Sequence, residues 1–147
     1  MPDHRYIVNV EGAVVKDERY LMIIRGEGEE HAAGVLAFPG GKVEDDEMAS
    51  GVLEETARRE LREEVDIEVG DEMVYVGSAS FVAGDAQVVD VVFLCRYRSG
   101  DPRACDPKEV ATVQWMTPAE ILAHPKSPPW MDPTIKRVEK VRVKRGW

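Results

Sequence analysis

Apolar residues in this chain alternate with polar ones or cluster in short blocks, and this pattern predicts mostly β-strands. Lys16–Arg19 separates two blocks rich in β-branched residues, so residues 6–25 should form a hairpin. A second hairpin is expected around Gly84–Asp85. A short strand should stop at Pro39, with the Pro-Gly-Gly sequence as a turn. The predicted strands are residues 7–15, 20–25, 35–38, 73–82, 87–98 and 110–116.

Residues 52–65 show the four-residue period of an amphipathic helix, after a polar segment that should be loop. Ser50 is the expected N-cap. On the polar side of the helix, Glu60, Glu63 and Glu64 fall within five residues. Like charges at these spacings repel by roughly 0.2–0.5 kcal/mol per pair. The apolar stripe opposite them consists of Leu53, Ala57, Leu61 and Val65.

Two more helices are predicted in the last third of the chain. Thr117, Pro118 and Glu120 form a capping box that should open one of them. Asp132 followed by Pro133 should open the other. Strands outnumber helices and do not alternate strictly with them, so we expect an α+β domain with a mixed sheet covered by helices.

Three carboxylates on one helix face suit a hard divalent cation, which takes oxygen ligands. Most Glu-rich helix faces are solvated surfaces with ion pairs such as Glu55 with Arg59. Upstream of the helix, however, two glycines in the sequence FPGGK allow close approach of the backbone to a ligand. The carboxylate face and the two glycines together predict a metal site in which Mg²⁺ bridges carboxylates to substrate phosphates.

Acidic charge is concentrated in residues 41–72, which contain thirteen acidic and four basic residues and so carry the chain's whole net charge of −9. This charge argues against nucleic acid as a partner. A length of 147 residues fits one domain, residues 1–147. The chain shows neither a signal-peptide pattern nor a long apolar run, so we expect a cytoplasmic protein without a membrane partner. Cys95 should be a buried apolar residue.

The segment from Gly41 to Ile67 resembles the Nudix box, whose pattern is G-x5-E-x7-R-E-U-x-E-E-x-G-U with U aliphatic. This chain departs from the pattern twice. Eleven residues instead of seven separate Glu47 from Arg59, so the box has a four-residue insertion or Glu55 takes over the ion pair with Arg59. Asp66 stands in place of the closing glycine. The matching residues are Gly41, Glu47, Arg59, Glu60, Leu61, Glu63, Glu64 and Ile67.

The resemblance extends to the 8-oxo-dGTP hydrolase branch of this family and implies a Nudix-like α/β/α sandwich with a central mixed β-sheet. Residues 25–44 match that branch without gaps. In residues 108–116 the branch places an extra metal-binding glutamate, which falls on Glu109. Residues 128–135 resemble the loop that reads the oxidised guanine, but the base-binding asparagine is replaced by Met131.

Carried over by position, the resemblance implies a site for Mg²⁺ or Mn²⁺. Glu63 is implied as the general base, with Glu109 as its rival, and Glu64 as a further catalytic carboxylate. Arg59 is implied to orient the glutamates. The implied metal ligands are the Gly40 carbonyl, Glu60, Glu63, Glu64 and Glu109. The implied substrate contacts are Arg25, Lys42, Trp130 and Met131.

The implied reaction is hydrolysis of a diphosphate linkage in a nucleoside diphosphate derivative, a small molecule, and first of all in a nucleoside triphosphate. Met131 and the box insertion favour instead an ADP-ribose, nucleotide-sugar or dinucleotide polyphosphate hydrolase. An alternative of another class is a Nudix-like nucleotide-binding domain without turnover, which we would expect to lack the box glutamates. The oligomeric state stays open, with a homodimer as one alternative.

Overall fold

The computed structural model describes residues 4–29, 31–44 and 49–147. No helix in these ranges is long and apolar enough to cross a membrane. The strands are β1 (Tyr6–Lys16), β2 (Arg19–Arg25), β3 (Leu36–Ala37), β4 (Gly40–Lys42), β5 (Glu68–Ala83), β6 (Ala86–Ser99) and β7 (Val110–Met116). The helices are α1 (Val52–Val65), α2 (Pro118–Ala123) and α3 (Met131–Arg145).

The strands form one mixed sheet with the main order β3-β2-β1-β6-β5, while β4 pairs with β1 and β7 pairs with β2. Strands β1 and β6 run parallel, and the other pairs are antiparallel. Both predicted hairpins are present: β1 turns into β2 at Lys16↔Arg19, and β5 turns into β6 at Ala83↔Ala86. The predicted α+β class with a mixed sheet is confirmed.

Helix α1 covers one face of the sheet, and α2 and α3 cover the other. Because side chains alternate along a strand, Val14 packs on the α1 side while Ala13 and Val15 pack on the α3 side. Cys95 is fully buried on the α1 side, as predicted. The helical residues that close the two cores are Ala57, Leu61 and Val65 from α1, Ile121 from α2, and Met131, Ile135 and Val138 from α3. The predicted sandwich is therefore confirmed.

Two of the three predicted helix caps are wrong. Gly51, not Ser50, is the N-cap of α1, with a left-handed φ of 69° that favours glycine. Trp130, not Asp132, precedes α3, because the chain already turns where the Met131 N–H donates to the Pro128 carbonyl. The capping box of Thr117 is present at α2 as predicted.

The Pro-Gly-Gly sequence was predicted as a turn, but Gly40–Lys42 instead forms strand β4 against residues 9–11 of β1. A Cβ atom at Gly40 would lie 2.1 Å from the Val10 carbonyl oxygen, so this pairing needs glycine. Of the segment after β4 that was predicted as loop, residues 45–48 lie outside the described residues, and with them the box residue Glu47.

Asp66 ends α1 in the left-handed conformation, with φ 59° and ψ 45°. Its N–H donates to the Arg62 carbonyl at 3.1 Å, the next N–H, that of Ile67, donates to the Leu61 carbonyl at 3.3 Å, and the carboxylate of Asp66 lies 3.2 Å from Arg103 on the surface. A left-handed conformation costs an L-residue about 1–2 kcal/mol, and Asp and Asn tolerate it better than most. Asp66 therefore ends the helix in the conformation that a glycine would adopt, at a modest cost in stability.

Asp66→Gly should raise the free energy of unfolding by at most about 1 kcal/mol, because relief of the left-handed strain is partly offset by the entropy that glycine loses on folding. The exposed pair with Arg103 adds little. Urea unfolding measures the change, with Asp66→Ala as a matched variant that should be less stable than Asp66→Gly. A clear loss of stability in Asp66→Gly, or a large gain in catalytic activity, would contradict this account.

Candidate functional site

The polar face of α1 lies against β4. Glu64, in the last turn of α1, is only 7% exposed, and its Oε2 accepts the N–H of Gly40 at 3.1 Å. Glu60, one turn earlier, lies against the next strand residue, since a Cβ atom at Gly41 would be 2.3 Å from the carboxyl carbon of Glu60. The two glycines thus bring the β4 backbone directly onto two carboxylates.

Arg59 organises the neighbouring carboxylates. Its Nη1 donates to Glu60 Oε1 at 2.8 Å and to Glu63 Oε2 at 3.0 Å, and its Nη2 donates to the Lys42 carbonyl at 2.9 Å. Glu44 lies 3.9 Å from the same guanidinium. Arg59 therefore links the helix to β4. It also bridges the half-buried Glu60 and Glu63, whose side chain is 60% exposed.

Glu55 was one expected partner for Arg59. In the structure Glu55 lies 3.9 Å from Arg58, one helical turn further on. Arg58 also donates to the carbonyls of Val69 and Asp71, so it ties α1 to β5. Glu55 therefore belongs to the side of the helix that faces away from β4.

The two carboxylates beside β4 hold protons more tightly than ordinary glutamates. Burial raises the pKa of Glu64 to about 8, with repulsion from Glu60 adding to it and the Gly40 hydrogen bond opposing it. Burial also raises the pKa of Glu60 to about 7, against the opposing effect of Arg59. Near neutral pH, without a cation, this pair therefore carries less negative charge than two free carboxylates.

Glu109 and Arg25 reach the same site from other elements. Glu109 comes just before β7, and its pKa is raised by partial burial and then by repulsion from Asp106, Glu29 and Glu63. Arg25, the last residue of β2, lowers the pKa of Glu64 by its positive charge. The structure thus brings Glu109 and Arg25 within electrostatic reach of the α1 carboxylates.

The donor set fits a hard divalent cation. In the described part of the chain, no three acidic, histidine or cysteine side chains already converge as ligands of one ion. Arg59 binds Glu60 and Glu63, and the Gly40 N–H binds Glu64, so all three carboxylates of α1 are held near β4. Buried carboxylates that retain protons near neutral pH would release them to such a cation, which prefers oxygen ligands.

Comparison with known families decides what kind of protein carries this site. A family model described as the NUDIX domain matches residues 6–138, which is most of the chain. The chain belongs to the Nudix family. The prediction from the sequence that this protein is a Nudix-type pyrophosphohydrolase is confirmed. Among curated proteins, none matches the sequence significantly.

Solved Nudix structures share the fold. A MutT NUDIX hydrolase from Burkholderia pseudomallei is 26% identical, with a TM-score of 0.72 over 94% of this chain and 99% of its own. A MutT protein from Methanosarcina mazei Go1 is 24% identical, with a TM-score of 0.77 over 97% and 99%. The NUDIX domain of Shewanella oneidensis NrtR, solved with ADP ribose, is 17% identical, with a TM-score of 0.72 over 97% and 90%.

The predicted substrate contacts of this Nudix domain differ in exposure. Trp130, before α3, is 55% exposed and free to stack on a ligand. Met131 is 2% exposed and packs in the core on the α3 side, which does not fit an open contact with a base. Lys42 is exposed at the end of β4.

The sequence did not lead us to expect a cluster of three polar side chains on the paired strands β1 and β6, formed by Asn9, Glu11 and Asp90. Asp90 of β6 accepts the side-chain amide of Asn9 at 2.6 Å. Burial and a hydrogen bond with Asp90 raise the pKa of Glu11 well above its usual range. The available signal was the interruption of two apolar runs, in "IVNVEGAVV" and "VVDVVFL", by single polar residues. Carboxyl groups in such positions are typical of functional sites.

The raised pKa values predict how stability depends on pH without metal. Glu60 and Glu64 titrate near 7 and 8 when folded, against an ordinary value of 4.5. Folding therefore takes up protons, so their contribution to stability is fully present below about pH 4.5 and is lost as pH rises towards 8. Thermal unfolding with a chelator should show a steeper fall of Tm over this range for the wild type than for Glu60→Gln/Glu64→Gln. Parallel curves for the two proteins would refute it.

Proposed function

We propose that this Nudix chain hydrolyses a diphosphate linkage in a nucleoside diphosphate derivative with Mg²⁺, for which Mn²⁺ can substitute. The observation that carries the proposal is the pair of carboxylates beside β4, the half-buried Glu60 and the buried Glu64. Bare carboxylates would repel a phosphate, so the substrate and the cation belong to one site. A bound cation supplies charge for the phosphate oxygens and lowers the pKa of an attacking water. Its ligands would be Gly40, Glu60, Glu63, Glu64 and Glu109.

The chain's own residues divide the remaining work. Gly40 orients Glu64 through its N–H, and Arg59 orients Glu60 and Glu63. Glu63 is the most exposed of the three box carboxylates, which supports it as the group that takes the proton of the attacking water. Glu109 is the alternative base, because partial burial raises its pKa above the ordinary value and it lies within electrostatic reach of Glu63.

Within this class, the proposed substrate is a nucleoside triphosphate. The proposed location is the cytoplasm, where such nucleotides are used. The gap-free match of residues 25–44, Glu109, and the 26% identity to a MutT hydrolase support it. One observation favours an ADP-ribose or nucleotide-sugar substrate instead: Met131 stands where the 8-oxo-dGTP branch has its base-reading asparagine, and it is buried. Trp130 remains available for stacking on any base.

Glu63→Gln and Glu64→Gln test the roles of the box. Glu63→Gln should lower kcat by about 10²–10⁴-fold if it is the general base. Glu64→Gln should weaken the apparent affinity for Mg²⁺ by more than about tenfold, because losing a ligand costs more than losing an outer partner. Steady-state hydrolysis as a function of Mg²⁺ measures both, with Glu68→Gln, exposed beyond the end of α1, as control. Unchanged turnover in both variants would reject the assignment.

A substrate panel separates the alternatives. It contains nucleoside triphosphates including 8-oxo-dGTP, then ADP-ribose, a UDP-sugar and a diadenosine polyphosphate. Each compound is assayed separately in the presence of Mg²⁺ or Mn²⁺. We expect release of pyrophosphate from a nucleoside triphosphate with the highest kcat/KM. Faster cleavage of ADP-ribose or the UDP-sugar would establish the alternative substrate. Absence of turnover on every compound would instead indicate a binding domain.

A further inference from the structure

The loop between β2 and β3 is bound to the segment that carries Glu109. The Gly26 N–H donates to the Glu109 carbonyl at 2.7 Å, and the Gly28 N–H donates to the Lys108 carbonyl at 2.9 Å. A Cβ atom at Gly26 would lie 2.1 Å from the Lys108 carbonyl oxygen, so the contact depends on glycine. The β2–β3 loop and Glu109 therefore keep a fixed relation to each other.

Arg25, the last residue of β2, lies directly before this loop, and two hydrogen bonds hold its side chain. Its Nη2 lies 3.2 Å from Glu29 Oε2, and its Nε donates to the His31 carbonyl at 3.1 Å. A guanidinium has five N–H donors, so these two bonds leave three, including both on Nη1. In the described part of the chain, the guanidinium makes no further hydrogen bond. Arg25 is thus fixed in direction and still able to bind an oxyanion.

The ion pair of Arg25 and Glu29 lies next to Glu109, because Arg25 pairs with Val110, the first residue of β7. Arg25 lowers the pKa of Glu64, and Glu29 raises the pKa of both Glu64 and Glu109. The charges of this pair are therefore within electrostatic reach of the buried end of α1 as well as of Glu109. The two side chains are only 27% and 25% exposed, which limits screening by solvent.

An arginine beside several carboxylates tends to form ion pairs with them. Without Glu29, the guanidinium of Arg25 would be drawn to Glu64 and would compete there with a cation. With Glu29 as its partner, Arg25 keeps its remaining donors for a group that arrives with the cation. A phosphate of the substrate is that group, since its oxygens match the fork of N–H donors.

We propose that Glu29 is a positioning residue, which holds the guanidinium of Arg25 in the orientation that binds a phosphate of the substrate. This inference rests on the proposed function and adds a residue that lies outside the Nudix box. Glu29 acts through Arg25 and does not touch the reacting atoms. Its loss therefore weakens substrate binding more than it slows the chemical step.

Glu29→Gln tests the inference, and Glu27→Gln is the matched control. Glu27 lies in the same loop, is exposed, and makes neither an ion pair nor a side-chain hydrogen bond with the described residues. With dGTP and saturating Mg²⁺, Glu29→Gln should raise KM by about tenfold with kcat changed by less than about threefold. Glu27→Gln should keep both constants, and Glu29→Asp, which retains the charge, should recover part of the loss.

A double-mutant cycle with Arg25→Ala shows whether Glu29 acts through Arg25. In the Arg25→Ala background, Glu29→Gln should have no further effect on KM. Effects that multiply in the double variant, or wild-type constants in Glu29→Gln, would overturn the inference. Calorimetric binding of magnesium pyrophosphate follows the same cycle without turnover. A wild-type chain that hydrolyses nothing would refute the proposed function, while this titration would still decide the role of Glu29.

Discussion

The close packing of Gly40 and Gly41 is the constraint on which the rest of the site depends. Gly40 pairs with β1 at a distance that excludes a side chain, and Gly41 leaves no room for one beside Glu60. Only this fit allows the Gly40 N–H to reach Glu64 and the Lys42 carbonyl to receive Arg59. Glu64 is therefore positioned directly by a backbone group of a three-residue strand, and Glu60 and Glu63 are positioned through Arg59, which a carbonyl of the same strand holds.

That packing creates a conflict between stability and function. Burying Glu60 and Glu64 against β4 desolvates two like charges, and the raised pKa values measure how strongly the fold resists their ionisation. A leucine at either position would avoid the desolvation of a charge, but it would leave the Gly40 N–H or the Arg59 guanidinium without one acceptor. The glutamates are therefore best explained by the cation that this Nudix site is proposed to bind, since metal binding converts the strain into affinity.

Local signals carried most of the fold prediction. The four-residue period gave α1 its observed limits, and turn residues located both hairpins. The errors arose where long-range contacts decide. Strand β4 carries almost no hydrophobic pattern and exists because β1 accepts it, and α3 begins early because of a turn at Pro128. In the site, helical spacing predicted the carboxylate face but could not predict the contact of Arg25 with Glu29, or of Asn9 with Asp90 across two strands.

Two arginines, Arg59 and Arg25, offset the crowding of acids, each by binding a carboxylate and a backbone carbonyl. Arg59 binds carboxylates of α1 and the carbonyl of Lys42, and Arg25 binds Glu29 and the carbonyl of His31. Arg59 joins α1 to β4, and Arg25 is bound to two residues that follow β2. Because the hydrogen bond to Glu64 comes from a neutral backbone amide, this carboxylate stays short of positive charge. Arg59 and Arg25 thus pair with acids of this region, while Glu64 is the carboxylate that would gain most from the proposed cation.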